Sequence, residues 1–145
     1  MKELRAKVTQ YFEENNISKN GNWNLVLKTI FMLALYIAPY ALMITGTIGS
    51  FAGVFICWIA IGLGNAGVGM CIMHDANHNS YSKSQTVNRW MGKSLYLLGG
   101  FPPNWKYQHN TMHHGYPNID GWDEDIDPGS ILRFSPHKPL LKAHR

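Results

Sequence analysis

No aspartate, glutamate, lysine or arginine occurs between Thr29 and Met73, and this stretch without charge is the first constraint on the fold. A soluble domain spreads its apolar residues periodically along helices and strands. Here they come in blocks, at residues 25–45 and 51–73. Cysteine is scarce as well. Cys57 and Cys71 both lie inside the second block, which excludes a disulfide framework set in loops and points to buried, reduced thiols. No secretory leader is expected, because the chain opens on a charged amphipathic stretch and its apolar segments come late. A basic stripe interleaved with exposed aromatics is also missing, so the net charge of +4 argues for no nucleic acid partner. The basic residues flank the apolar blocks instead, where an anionic bilayer surface would attract them.

A helix needs about 20 apolar residues to cross the hydrocarbon core of a bilayer. Both blocks qualify, the second more clearly because it holds no charge at all; the first has Trp23 before it and Lys28 in its first turn. A buried hairpin in a soluble protein is the weaker reading of runs this long. Pro39 is expected to kink the first helix, since it removes a backbone donor. The link Gly46–Ser50 leaves room only for a tight connection, so the two spans are predicted to be antiparallel. Ahead of them, residues 2–14 form an amphipathic helix with Leu4, Val8, Tyr11 and Phe12 on one face, ended by Asn15 and Asn16. Such a helix either packs on the protein or lies flat on the bilayer.

Lys2, Arg5, Lys7 and Lys19 precede the spans, Lys83, Arg89, Lys93 and Lys106 follow them, and the connecting loop carries no basic residue. The positive-inside rule therefore places both ends, with every histidine, in the cytoplasm. That orientation would hide the sequon Asn16-Ile17-Ser18 from glycosylation. Gly62-Leu63-Gly64-Asn65-Ala66-Gly67 matches a dinucleotide-binding fingerprint by letter only, since it lies within an apolar span rather than between a strand and a helix. Gly62, Gly64, Gly67 and Gly69 are instead expected to let helices approach closely. Residues 94–103 are apolar but too short to span, which suits an interfacial or re-entrant segment. The polar region from Asp120 is broken by Pro128, Gly129, Pro136 and Pro139.

The expected architecture is thus an all-α integral membrane fold. An amphipathic helix (2–14) precedes an antiparallel transmembrane helical hairpin (25–45 and 51–73). A cytosolic helical cap (74–127) carrying the histidines and a polar tail (128–145) follow.

The chemistry is concentrated just past the second block. His74-Asp75-Ala76-Asn77-His78 sets two imidazoles at i and i+4, on one face of a continuing helix. His109-Asn110-Thr111-Met112-His113-His114 repeats that spacing and adds a third ring about a third of a turn further round. One HxxxH pair alone is weak; two pairs and an adjacent histidine at a membrane exit point to metal. Imidazole suits zinc, copper, iron and nickel, so the ligand type leaves the metal open. A zinc protease would want glutamate where Asp75 and Asn110 stand, and a structural zinc site would want cysteines. Five histidines exceed one tetrahedral site, so two metals are more natural. The acidic run Asp120, Asp123, Glu124, Asp125 and Asp127 is no EF-hand, because Pro128 and Phe134 stand where such a loop needs glycine and glutamate.

HDANH, and then HNTMHH followed by GYPNIDGWDEDID, resembles the first two histidine boxes of the membrane fatty acid desaturases, most closely the bacterial acyl-lipid and linoleoyl-CoA front-end group. The resemblance implies an enzyme using two iron ions and O2 to place a cis double bond in an acyl chain carried on CoA or a lipid. It implies His74, His78, His109, His113 and His114 as iron ligands, with Asp75, Asn77, Asn110, Asp120 and Asp123 as candidates for fixing the rings. Trp105 and Trp122, which bracket the second box, would anchor at the interface or line the acyl path. An electron donor such as cytochrome b5 or ferredoxin is implied, since no haem or flavin motif is present. The family's third box, HxxHH or QxxHH, is not found here, and neither His137 nor His144 falls in a pair. The expectation is therefore an N-terminal fragment with an incomplete iron site, inactive alone. Two rivals remain: a related histidine-box hydroxylase or monooxygenase, and a non-catalytic metal-binding membrane protein.

Overall fold

The computed structural model describes residues 2–126, 129, 131–133 and 136–144, with Ala143 by its backbone only. Asp127 and Pro128 of the acidic run, Phe134 and Arg145 lie outside the described residues. Every regular element among the described residues is helical. The chain forms two compact units, Met1–Leu98 and Gly99–Arg145.

The first unit opens with α1 (Lys2–Glu14), which buries none of its residues. α2 (Trp23–Ile44) starts at Asn22, whose side-chain oxygen accepts from the Leu25 N–H and satisfies one of the orphan donors of the first turn. Ser50 caps α3 (Phe51–Gly67) in the same way through the Gly53 N–H. α3 runs without a break through a wide π turn, Val68–Met73, into α4 (His74–Asn77). Two stretches, Trp23–Ile44 and Phe51–Asn77, are long and apolar enough to cross a membrane. Within the described residues only 6% of the most apolar window of the first and 22% of the second are buried. Side chains such as Ile30, Phe31, Phe55, Ile56 and Leu63 face outward, an arrangement that water penalises and lipid does not.

α2 and α3 pack side by side in opposite directions, Gly64 lying against Tyr36 and Gly67 against Met32. A Cβ on Gly64 would fall 2.5 Å from the Tyr36 backbone nitrogen, and one on Gly67 would collide with the Met32 sulfur. Gly62 departs from expectation: a Cβ there meets nothing within 4 Å, because this residue sits on the outward face. Gly69 makes only an ordinary contact, 3.4 Å from the Leu98 side chain. Close packing therefore needs two of the four glycines.

The core of this unit lies at the α4 end. Val68, Ile72, Ala76 and Tyr81 are buried together, with Leu25, Met32, Leu33, Met91 and Leu98 packed around them. The Tyr81 hydroxyl meets the buried Thr29 hydroxyl of α2 at 2.8 Å. α5 (Gln85–Gly92) docks on α4 through Asn77, whose amide donates to the Gly92 carbonyl. Buried Asn88 holds the preceding loop by accepting from the Ser82 N–H and donating to its carbonyl, both at 2.8 Å. A 3-10 helix, Lys93–Leu98, ends the unit, tied to α2 by the Tyr36 hydroxyl donating to the Leu97 carbonyl.

In the second unit, α6 (Pro102–Trp105) begins on prolines, which the first helical turn tolerates, and passes into a π-helical stretch, Lys106–His113. A turn through Asn118 then leads to one 3-10 turn, Glu124–Ile126. Asn118 has φ of 63°, a left-handed conformation that asparagine adopts more readily than most residues.

Candidate metal centre

Continuity of α3 into α4 carries the first box past the apolar stretch on rigid backbone. His78 caps α4, its N–H donating to the His74 carbonyl, and the two rings lie 4.5 Å apart. The Asp75 carboxylate stands 3.2 Å from His74 Nδ1. The Asp75 carbonyl in turn accepts from the N–H groups of Ser80 and Tyr81 and from the Ser80 hydroxyl, which ends the helix immediately after the box.

The second box lies on the π-helical stretch rather than on a regular α-helix. Its wider i→i+5 turn still leaves residues four apart on one side. His109 and His113 stack with ring centroids 5.0 Å apart, and His114 meets them edge-on at 4.9 and 5.0 Å. Trp105 stacks on the other face of His109 at 4.4 Å. Trp122 packs against Tyr116.

The acidic turn folds back onto these rings. Asp125 Oδ2 is 2.6 Å from His109 Nδ1 and 3.7 Å from His113 Nδ1, and Asp123 Oδ1 is 2.9 Å from His113 Nδ1. The Gln108 amide donates to the neighbouring Glu124 carboxylate. Asp123 is 2% exposed and also accepts from the backbone N–H groups of Asn118 and Asp125, at 2.7 and 3.1 Å. Burial by itself would raise its pKa. The Asn118 N–H, the hydrogen bond and charge of His113 and the Asp125 N–H outweigh that and hold the carboxyl below its ordinary value.

An ionised carboxylate only accepts, so a neutral ring that pairs with one through Nδ1 carries its proton there and leaves its lone pair on Nε2. The Nδ1 atoms of His74, His109 and His113 each face a carboxylate. Among the described residues of the second unit, the donor atoms of His109, His113 and Asp125 lie within 4.8 Å of one another, a group able to hold a metal ion. The 2.6 Å contact between Asp125 and His109 is a hydrogen-bond distance, so Asp125 acts on the ring rather than beside it as a second ligand. The donor set is rich in imidazole and free of thiolate, which fits iron as well as other borderline metals.

Of the five candidate supporting residues, Asp75 and Asp123 stand at ring nitrogens. The Asn77 amide donates to Gly92 and contacts the Met73 sulfur, while Asp120 pairs with Lys138 at 3.6 Å. Asn110 lies half-buried beside His109. Gln108 is not among the residues named from the sequence, and Glu124 and Asp125 are named there only as members of the acidic run, not as partners of the second box. The one signal for Asp125 is its place two residues after Asp123 in the same acidic run.

The profile of the family described as fatty acid desaturase matches residues 49–144. The chain is 36% identical over 144 residues to the sn-1 linoleoyl-lipid 6-desaturase of Arthrospira platensis, covering 99% of this chain and 39% of that protein. It is 34% identical to an acyl-lipid (8-3)-desaturase of Physcomitrium patens, covering 97% of this chain and 30% of the relative. The sn-1 linoleoyl-lipid 6-desaturase of Synechocystis sp. is 30% identical, with 98% and 39% covered. The chain thus spans less than half the length of these curated relatives. No solved structure matches it. With the family profile covering most of its length and both histidine boxes on helices, the chain belongs to the fatty acid desaturase family.

Proposed function

We propose that this chain is the part of an O2-dependent acyl desaturase that supplies its first two histidine boxes to a pair of iron ions. The observation that carries this reading is the pairing of Nδ1 with a carboxylate at His74, His109 and His113. Metal-ligating histidines are commonly oriented by such a partner at the other ring nitrogen. On this reading His74, His78, His109, His113 and His114 ligate through ring nitrogens, and Asp75, Asp123 and Asp125 fix three of the rings. With O2 and electrons from a cytochrome b5-like or ferredoxin-like donor, a bound iron pair supplies the oxidising power to remove two hydrogens from an unactivated acyl chain. The chain's own part is to hold the rings and to seat the acyl group, because methylenes are chemically alike and position decides which reacts. The relatives above are named for lipid-linked acyl groups, and we assign the same class of substrate here.

In this reading α2 and the α3–α4 stretch cross the bilayer, and the basic residues on both flanks hold the N-terminus and the boxes on the cytoplasmic side. The test grafts this chain in place of the matching part of a longer relative, expresses the chimera in a host membrane supplied with 18-carbon acyl lipids, and analyses the released chains by mass spectrometry. A new alkene that disappears in His109→Ala and His113→Ala supports desaturation. A new alcohol in place of the alkene would move the assignment to a hydroxylase, and no product despite bound iron would leave a metal-binding role.

A further inference from the structure

We infer that α1 is an in-plane anchor, lying along the bilayer interface with Leu4, Val8 and Tyr11 inserted among the lipids. At about 100° per residue, Leu4, Val8, Tyr11 and Phe12 fall within an arc of about 100°. Arg5 and Lys7 border that arc on its two sides, while Gln10, Glu13 and Glu14 lie away from it with Lys2 and Glu3. Long basic side chains beside an apolar stripe reach up to lipid headgroups while their stems stay in apolar surroundings. Carboxylates on the far side stay in water. A helix meant for the protein interior needs no such order of charges.

The fold leaves this stripe open. Leu4, Val8 and Tyr11 are 61%, 47% and 57% exposed. The linker after α1 returns along a different side, where the Lys19 ammonium donates to the Thr9 hydroxyl at 3.0 Å. It is then pinned by the Gly21 N–H donating to the Tyr81 carbonyl, and by the Asn20 amide donating to the Ser80 carbonyl. Only Phe12, at the edge of the stripe, is half-covered, in a cleft shared with Ile17 and Lys83. α1 is therefore tethered at the start of α2, next to the turn that follows the first box. With α2 continuing into lipid, the interface is the apolar surface within reach of α1.

The inference rests on the membrane reading of α2 and α3, and the experiment separates the two. The chain is prepared with Cys57→Ala and Cys71→Ala, and a nitroxide is attached at single cysteines replacing residues 3–13 in turn, with Phe55→Cys as the control. It is reconstituted in vesicles of zwitterionic and anionic phospholipid. Collision rates are measured with O2, which concentrates in lipid, and with a water-soluble nickel chelate. At positions 4, 8 and 11 oxygen should win several-fold, and at 10, 13 and 14 (added as Glu14→Cys) the chelate should win, giving a helical period. Chelate access at every α1 position, or immobile labels shielded from both reagents because a protein surface covers the stripe, would overturn the anchor while Phe55 remains in lipid. Chelate access at Phe55 as well would overturn the membrane reading, and the anchor with it.

Discussion

At His109 and His113 the proposed metal binding turns on which ring nitrogen is left for the ion, and an aspartate faces Nδ1 of each ring. Asp125 and Asp123 each face an Nδ1, and such outer partners typically contribute 10- to 100-fold to metal affinity. Asp125→Ala is therefore expected to lower iron retention against a competing chelator by about 10- to 100-fold, with the helical circular dichroism unchanged. Asp125→Asn, whose amide oxygen still accepts, should lose less. Asp123 has a second duty, because its carboxylate also gathers the Asn118 and Asp125 N–H groups. Its pKa is lowered in the folded chain, so its contribution to stability is complete above the unfolded value of about 3.9 and is lost as pH falls through the lower folded value. The amide resonances of Asn118 and Asp125 should hold steady down to about pH 4 and shift together below it. In Asp123→Asn that common transition should vanish.

Among the helices, the glycines of α3 separate a packing role from a merely permissive one. Gly64 touches the α2 backbone, which cannot move aside, whereas Gly62 faces open space. Gly64→Ala should therefore destabilise the unit by about 1–3 kcal/mol through overpacking. Gly62→Ala should be neutral, or stabilising by up to about 1 kcal/mol through helix propensity. Unfolding of the purified chain from mild detergent into dodecyl sulfate would rank the two; equal losses would mean that α2 and α3 are not held by the Gly64 contact. α5 meets α4 just as closely, since a Cβ on Gly92 would fall 2.5 Å from the oxygen of buried Asn77. The π stretches lie immediately before the first box and through most of the second, where they change the winding of the helix that carries the rings.

For the whole molecule, the decisive property is the mismatch between apolar surface and the core available to bury it. Two long helices expose most of their apolar side chains, and the buried cluster of the first unit gathers near the first box instead. Alkaline carbonate should leave the chain in the membrane fraction. In the Cys57→Ala, Cys71→Ala background, a cysteine at Thr47 should react with an impermeant maleimide on intact cells. A cysteine at Lys19 should react only after permeabilisation, since basic flanks stay cytoplasmic. Labelling of position 19 on intact cells would reverse the proposed orientation.

The helices themselves, and the histidines proposed to hold metal, were legible in the sequence because their signals are local. An apolar run of membrane length and histidines four apart are each contained within a few turns of chain. Contacts between distant segments were not legible. Which glycines touch α2 depends on how α3 is rotated about its axis, and four glycines in one run do not reveal it. The Thr29–Tyr81 hydroxyl pair joins residues 52 apart. Asp125 reaches His109 while Asp120 turns to Lys138, because the turn at Asn118 and the burial of Asp123 set the direction of the returning chain. Composition and spacing by themselves determined an all-helical, lipid-suited chain with two histidine boxes. Only the tertiary structure decided which carboxylates orient the rings, since that depends on where the backbone folds back.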